Sequence, residues 1–381
     1  MEKNILIVDD TQMNRKLLKE VIEKSIENVK VLEAEDGFAA LEILDENEIN
    51  VVILDIMMPQ KDGIEVLQDI KKKDRFKDIP VIMWSAINTI DSVEKALKLG
   101  ALDYFTKPLS PNDMKVALPL KIMNAIDYYE QKLKLIEYNE HIKSEMELAQ
   151  NLQKSLIVEE ADFENVSIYG KYIPTEEIGG DFFSAKDVNG NTWFIIADVS
   201  GHGVASAMLS TMISVVYDMS IQTYNKPNIV LRQINKLLYK TFEGYRNSLA
   251  SAVVGLIKEN QVYISSAGHP PVIIYKKDED EIDQISIDGF LLGVMEDANF
   301  DVIQYDLKKG DVLFLYTDGL FDNGLGIEFF KAENVTAYCH LNKTDINYDI
   351  KRYVDHMVDF FKNKGTKGFI DDVAVLSILK K

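Results

Sequence analysis

Aspartates at the ends of apolar runs are the residues of this chain best placed to do chemistry, and they fall into two sets. In the N-terminal third, Asp9 and Asp10 follow "NILIV", Asp55 follows "VVIL", Ser85 follows "VIMW", and Lys107 with Pro108 follows "DYFT". Three carboxylates brought together repel one another, so a divalent cation is their natural partner. A lysine opposite them can neutralise an incoming phosphoryl group. A carboxylate beside a bound cation can attack phosphorus and form an acyl phosphate. In the C-terminal half, Asp181 stands in "IGGDFF", Asp198 ends "WFIIAD", Asp318 ends "VLFLYTD", and Asp371 and Asp372 open "DDVAVL". No histidine–cysteine ligand set accompanies them, so the donors suit hard cations such as Mg²⁺ or Mn²⁺. Two such ions about 3.5–4 Å apart can share a water, lower its pKa and aim it at phosphorus. Gly179, Gly180, Gly201 and Gly203 allow the backbone to approach such ions closely.

The elements that must position these residues follow from the pattern. Five short apolar strands alternate with segments of helical spacing over the first part of the chain, which predicts a doubly wound parallel sheet of flavodoxin type. Its site lies beyond the carboxyl ends of the strands, where the polar residues collect. Ser110 can cap a following helix with Pro111 in its first turn, and Pro119 can kink or reset it. Beyond it Tyr128, Leu135, Ile142, Ala149 and Leu156 recur every seven residues, beside a mixed row of Gln131, Tyr138, Glu145 and Leu152. One clean and one imperfect row predict a short, weak coiled coil, and with it a homodimer. Further on, Met208, Met212 and Met219 read as core.

The bulk numbers narrow the classes. The chain has 381 residues, with 42 Lys+Arg against 62 Asp+Glu, giving 42 − 62 = −20. That field repels phosphate backbones and argues against nucleic-acid binding. The single cysteine, Cys339, excludes an internal disulfide and suits a reducing compartment. The N-terminus has no signal pattern, and no apolar run reads as a membrane helix of about 20 residues. The expectation is a cytoplasmic protein without membrane contact.

"VDD", "LDIMMP", "WSA" and "FTKP" occur in order, and this stretch resembles the receiver domain of two-component response regulators. The resemblance implies that Asp55 is the phosphoacceptor, charged by a sensor histidine kinase or a small phosphodonor. Asp9, Asp10, Asp55 and the backbone carbonyl of Met57 would hold Mg²⁺. Ser85 and Lys107 would contact the phosphoryl oxygens, and Tyr104 would be the switch aromatic. Downstream, "GGDFF" lies one letter from the signature of cyclic-dinucleotide cyclases. That reading fails on position, because Asp181 comes too soon after the helix and no earlier strand supplies a partner aspartate. "GGDFF", "ADVSGHGVASAM", "SSAGHPP", "TDGL" and "DDVAVL" together resemble metal-dependent protein phosphatases of the 2C family, in the bacterial sporulation stage II protein E-like branch.

This second resemblance implies two packed β-sheets flanked by helices, an α+β phosphatase domain, and two Mn²⁺ or Mg²⁺ ions. Asp198 would bridge them. Asp181, Asp318, Asp371 and the carbonyl of Val199 would supply the rest, with Asp372 the competitor to Asp371. His202 reads more readily as a turn residue than as a catalytic one, its role staying open, and His269 reads as structural. The implied substrate is a phosphorylated anti-sigma-factor antagonist. The division read from the sequence is a receiver at 1–122, a helical coiled-coil linker at 123–157 and a phosphatase domain at 158–381. The alternative function is a metal-free adaptor that binds or sequesters a regulatory partner.

Overall fold

The computed structural model describes residues 2–86, 90–201, 203–242, 249–321, 332–346, 349–364 and 368–381, so His202 lies outside the described residues. The chain divides into two compact units, Met1–Ile142 and Lys143–Lys381.

In the first unit β1 (Lys3–Val8), β2 (Val29–Ala34), β3 (Val51–Asp55), β4 (Val81–Ser85) and β5 (Asp103–Thr106) form one parallel sheet in the order β2-β1-β3-β4-β5. β3 and β4 are buried at every position. Their uninterrupted apolar runs are what a sheet covered on both faces requires. The cover is α1 (Gln12–Ser25), α2 (Gly37–Glu46), α3 (Gly63–Lys72), α4 (Ile90–Lys98) and the start of α5 (Leu118–Lys154). Asp36 starts α2 by accepting from the N–H groups of Phe38 and Ala39, and Asp62 with Glu65 forms a capping box on α3. Strand order reverses about β1, so a crevice opens at the carboxyl ends of β1 and β3.

Helix α5 runs for 37 residues, about 55 Å. Leu118, Ile122, Ala125 and Ile126 are fully buried against the sheet, each large side chain contributing about 1.5–3 kcal/mol. From Tyr128 to Ile142 the apolar row faces solvent, Leu135 and Ile142 each being 60% exposed, while Ala149 and Leu156 are half-buried; Leu152 of the companion row is 63% exposed. Ser110 accepts from the N–H of Asp113 ahead of a short π-helical stretch, Asp113–Ala117. Pro119 follows closely on this helical stretch, so its missing N–H removes a donor where the π-helical turns give way to α5.

In the second unit, β6 (Glu160–Asp162), β7 (Val166–Ile173), β8 (Phe182–Val188) and β9 (Asn191–Val199) precede α6 (Val204–Ile221) and α7 (Pro227–Phe242). Then come β10 (Ala250–Lys258), β11 (Gln261–Ala267), β12 (Val272–Lys276), β13 (Glu281–Ile285), β14 (Ile303–Asp306) and β15 (Val312–Tyr316). The unit closes with α8 (Ala332–Ile346), α9 (Ile350–Lys364) and β16 (Val373–Lys380). The strands make two sheets, β14-β11-β10-β9-β8 and β13-β12-β15-β16-β7-β6. Side chains of alternate residues, among them Phe183, Phe194, Ile196, Val253, Leu315 and Leu376, fill the layer between the sheets. The opposite faces carry α6 and α7 on one side and α8 and α9 on the other.

Helix α6 corrects two readings. With a mean hydropathy of 1.4 over 18 residues, it is long and apolar enough to cross a membrane by length and composition alone. Four serines and Asp218 break the run to the eye. Its inward face is instead built of small residues, Ser206, Ala207, Ser210 and Ser214, with Ile213 and Tyr217. Met208 is 63% and Met219 68% exposed and Met212 is half-buried, because the face of α6 turned to the sheet is taken by its serines with Ala207, Ile213 and Tyr217.

Candidate functional site

At the carboxyl end of the parallel sheet, Asp9, Asp10 and Asp55 bring carboxylate oxygens within 4.8 Å of one another. Asp9 follows β1 and is fully buried; Asp55 ends β3 and is 4% exposed. Lys107, just past β5, reaches both at 2.7 Å. Asn14 and the N–H of Thr11 complete the shell of Asp9, and the N–H of Met57 donates to Asp55 at 3.2 Å. Burial raises the Asp55 carboxyl above its ordinary range, with Lys107 pulling it down and the Asp9 charge pushing it up. Ser85 is buried at the end of β4, and its carbonyl accepts from the N–H of Lys107 at 2.8 Å. The Lys107–Pro108 peptide is cis. Tyr104 is half-buried against the core under β3 and β4. Met57 is exposed beside the trio.

The second site stands at one end of the layer between the two sheets of the second unit. Strand parity puts it there. Phe183 and Ala185 point into the layer, and so does Asp181 before β8; Phe194 and Ile196 point in, and so does Asp198 on β9. Leu313 and Leu315 lead by the same count to Thr317, and Ala374 and Leu376 to Asp372. Gly179 and Gly180 are required by this crowding. A Cβ on Gly180 would lie 2.5 Å from the carbonyl of Val199, and one on Gly179 would lie 2.2 Å from Asp372 Oδ2.

The electrostatics are those of acids held together. Burial, then the charge of Asp198, raises the carboxyl of Asp181 well above its ordinary range, with Asp372 and Asp371 adding and Thr317 opposing. Burial, then the charges of Asp318 and Asp371, pushes Asp198 up to about 7. Asp181 Oδ2 is buried with no hydrogen-bond partner. A buried carboxylate oxygen without a donor, facing other carboxylates, is a site that a cation fits. The doublet divides its labour. Asp372 is 2% exposed and fully occupied, accepting from the N–H and hydroxyl of Thr175 at 2.8 and 3.0 Å and from the N–H of Gly180 at 2.7 Å. Asp371 is half-exposed and accepts from the N–H of Asp372 at 2.8 Å.

Three features had no signal that sequence reasoning used. Gln153, near the end of α5, is 4% exposed; its amide donates to the carbonyl of Gly179 at 2.5 Å and its oxygen accepts from the N–H of Gly179 at 3.3 Å. A glutamine on a polar helix gives no hint of burial. Thr317 ties β15 to β16 through Ala374. Ser251 and His269 form a buried pair at 2.6 Å, and burial pushes the imidazole down to about 3, so the ring is neutral. Lys171, a conceivable phosphate clamp, is engaged with Asp355.

A phosphorylation-type acidic crevice and an acid-lined two-sheet phosphatase-like fold define the class, and the family models agree. The chain belongs to the stage II sporulation protein E (SpoIIE) family, whose model matches residues 189–380, and residues 5–119 match the response regulator receiver domain. Phosphoserine phosphatase RsbU of Bacillus subtilis (strain 168) is 26% identical over 217 residues, 56% of this chain; the chain spans 65% of the length of that relative. Sporulation initiation phosphotransferase F of the same organism is 38% identical over 125 residues, 32% of this chain and 98% of that protein. The SiaA-PP2C domain of Pseudomonas aeruginosa shares the fold, with a TM-score of 0.54 at 16% identity, covering 64% of this chain and 99% of that one.

Proposed function

We propose that this chain is a response regulator whose output is a metal-dependent serine/threonine protein phosphatase. The observation that carries the reading is the convergence of Asp181, Asp198, Asp318 and Asp371 at one end of the inter-sheet layer, with Asp181 Oδ2 buried and unpartnered. Asp198 would bridge two Mn²⁺ or Mg²⁺ ions, with Asp181, Asp318, Asp371 and the Val199 carbonyl as the remaining ligands. Bound there, the ions would supply Lewis-acid activation of a water and of a phosphate ester. The chain's own part is to hold the acids in place. Asp372 anchors the glycine turn before Asp181, and Thr317 joins the ends of β15 and β16.

In the receiver, Asp55 would accept the phosphoryl group from a sensor histidine kinase or a small phosphodonor. Mg²⁺ would sit on Asp9, Asp10, Asp55 and the Met57 carbonyl, Lys107 and Ser85 would hold the phosphoryl oxygens, and Tyr104 would report the change. The route to the second site would run along α5, whose last turns place Gln153 on the backbone of Gly179, two residues before Asp181. The exposed Tyr128, Leu135 and Ile142 of one row, with Tyr138 and Leu152 of the other, support a homodimer along this helix. The proposed division is a receiver at 1–122, a helical linker at 123–157 and a phosphatase domain at 158–381. The proposed substrate is a phosphoserine protein of the anti-sigma-factor antagonist kind; the likeness to the phosphoserine phosphatase RsbU supports the phosphoserine. The chain would act in the cytoplasm.

The test is Mn²⁺-dependent release of phosphate from a phosphoserine antagonist, with and without beryllofluoride on the receiver. The expected result is hydrolysis that Asp181→Asn abolishes and that beryllofluoride changes only when Asp55 is intact. No hydrolysis and no metal bound by calorimetry would leave the adaptor reading instead.

A further inference from the structure

The candidate phosphatase site raises a question that its aspartates do not answer. A phosphoryl dianion held by cations on one side still needs a hydrogen-bond donor on another. Among the described residues, a cavity of about 480 Å³ borders the site, lined by Asp198, Asp318, Ser251, His269, Leu291 and Phe321, with no lysine or arginine in its wall.

Ser251 is placed to be that donor. It lies on β10 directly across from Asp198 on β9 in the antiparallel register. Opposed residues of such a pair project to the same face, with Cβ atoms about 4.5–5.5 Å apart. Ser251 shares the inward parity of Val253, so its hydroxyl enters the layer where the carboxylates meet. The orientation of that hydroxyl is set by His269. The Nδ1 atom of His269 stands 2.6 Å from Ser251 Oγ, while its Nε2 is buried and makes no hydrogen bond of ordinary geometry, the Tyr316 carbonyl acting on the ring from nearby. Orphaned buried N–H groups are rarer than orphaned acceptors. The single ring proton is therefore assigned to Nδ1, which donates to Ser251 Oγ. That leaves the serine's own O–H to point into the cavity. The imidazole is itself fixed, since the backbone N–H of His269 donates to Ser266 Oγ at 3.3 Å.

We propose that Ser251 is a substrate-binding residue of this site: its hydroxyl, oriented by the His269 imidazole, donates a hydrogen bond to a phosphoryl oxygen held beside Asp198. His269 is then a positioning residue. This deepens the phosphatase reading and rests on it. It also gives "SAGHPP" a role that its sequence alone does not.

The experiment compares the full chain with Ser251→Ala, Ser251→Thr, His269→Asn and His269→Leu. It uses a phosphoserine peptide with Mn²⁺, inorganic phosphate as competitive inhibitor, calorimetric Mn²⁺ titration and thermal melts. A hydrogen bond to a charged group predicts that Ser251→Ala raises both KM and the phosphate inhibition constant about tenfold or more, with kcat less affected. Mn²⁺ affinity and melting temperature stay unchanged. Ser251→Thr, which keeps the hydroxyl, and His269→Asn, which keeps a donor near the Nδ1 position, stay close to the parent, whereas His269→Leu follows Ser251→Ala. Unchanged KM and inhibition constant in Ser251→Ala overturn the assignment. So does a loss confined to Mn²⁺ affinity or to melting temperature. If the parent chain hydrolyses nothing, the phosphatase reading falls separately, and calorimetric binding of phosphate to the Mn²⁺-loaded parent and Ser251→Ala chains still decides the donor.

Discussion

The two acidic pockets of this chain use the same side chain and solve its repulsion in different ways. In the receiver, Lys107 sits 2.7 Å from both Asp9 and Asp55, so a resident cation already offsets the crowding of carboxylates. In the second unit, no ion pair reaches Asp181, Asp198 or Asp372 among the described residues. Asp372 is satisfied by N–H and hydroxyl donors, Asp198 is pushed up to about 7, and Asp181 keeps an orphaned oxygen. A pocket with its own lysine is poised to exchange partners when a phosphoryl group arrives, which suits a switch. Buried acids that meet no lysine among the described residues are neutralised by protons or external cations, which suits a standing metal centre.

The sharpest way to break this contrast is to remove one acid from each pocket. Asp181→Asn is expected to lower phosphate release by on the order of 10²–10³-fold, the scale of losing one charge-stabilising group, while acetyl-phosphate labelling of Asp55 stays intact. Asp55→Asn should do the reverse, abolishing labelling and leaving basal release measurable. Loss of both functions in either variant would make the pockets one cooperative system. The next largest effect tests the division within the doublet. Asp372→Asn keeps the shape but weakens the hold on Gly180 and Thr175, and should reduce Mn²⁺ affinity by about 10–100-fold in calorimetry. If Asp371→Asn leaves Mn²⁺ affinity untouched while Asp372→Asn abolishes it, the two roles are exchanged.

The pH dependence of stability separates the pockets without mutation. Asp198 has a folded-state pKa raised to about 7 in the metal-free pocket, above the unfolded value of about 3.9. The folded state therefore binds more protons than the unfolded state, and stability from this group is full below the unfolded value and is lost as pH rises towards about 7. Asp181 shifts in the same direction. Without metal, the second unit should melt a few degrees lower at pH 8 than at pH 5, and saturating Mn²⁺ should erase the difference. A metal-free melt that is flat across this range would mean that the carboxylates are already compensated.

Legibility followed the same divide between pattern and proximity. The five-stranded sheet and the positions of Asp9, Asp55, Ser85 and Lys107 were readable, because each buried strand is an unbroken apolar run and each polar residue stands at its end. The second fold was readable through ordered motifs rather than periodicity, since its strands are distant in sequence: β7 pairs with β16, Val166 opposite Lys380. What stayed hidden is what depends on such non-local pairing. Nothing local tells Asp371 from Asp372; what sets them apart is non-local, since Thr175 and Gly180 are brought to Asp372 by the sheet. Gln153 looked like one more polar residue of a long helix. The methionines of α6 looked like core because side-chain polarity does not reveal that serines, not methionines, face the sheet.

The smallest expected effect bears most directly on the contrast itself. Lys107→Ala would make the receiver pocket resemble the other one. With the ammonium gone, Asp9 and Asp55 lose a positive charge at 2.7 Å, and the Asp55 carboxyl should rise further, because only the Met57 N–H would then oppose burial and the Asp9 charge. A pocket with one fewer positive charge attracts a cation more strongly, so Mg²⁺ should bind a few-fold tighter at neutral pH, measured by quenching of Trp84, whose ring lies 5.7 Å from the Lys107 ammonium. The same variant lacks the group that would follow the phosphoryl oxygens, so labelling at Asp55 should no longer alter phosphate release. Tighter Mg²⁺ binding with an uncoupled output would establish that the lysine is what makes one acidic pocket a switch. Weaker Mg²⁺ binding would mean that Lys107 organises the carboxylates instead of competing for them, and the electrostatic contrast between the pockets would have to be redrawn on geometry.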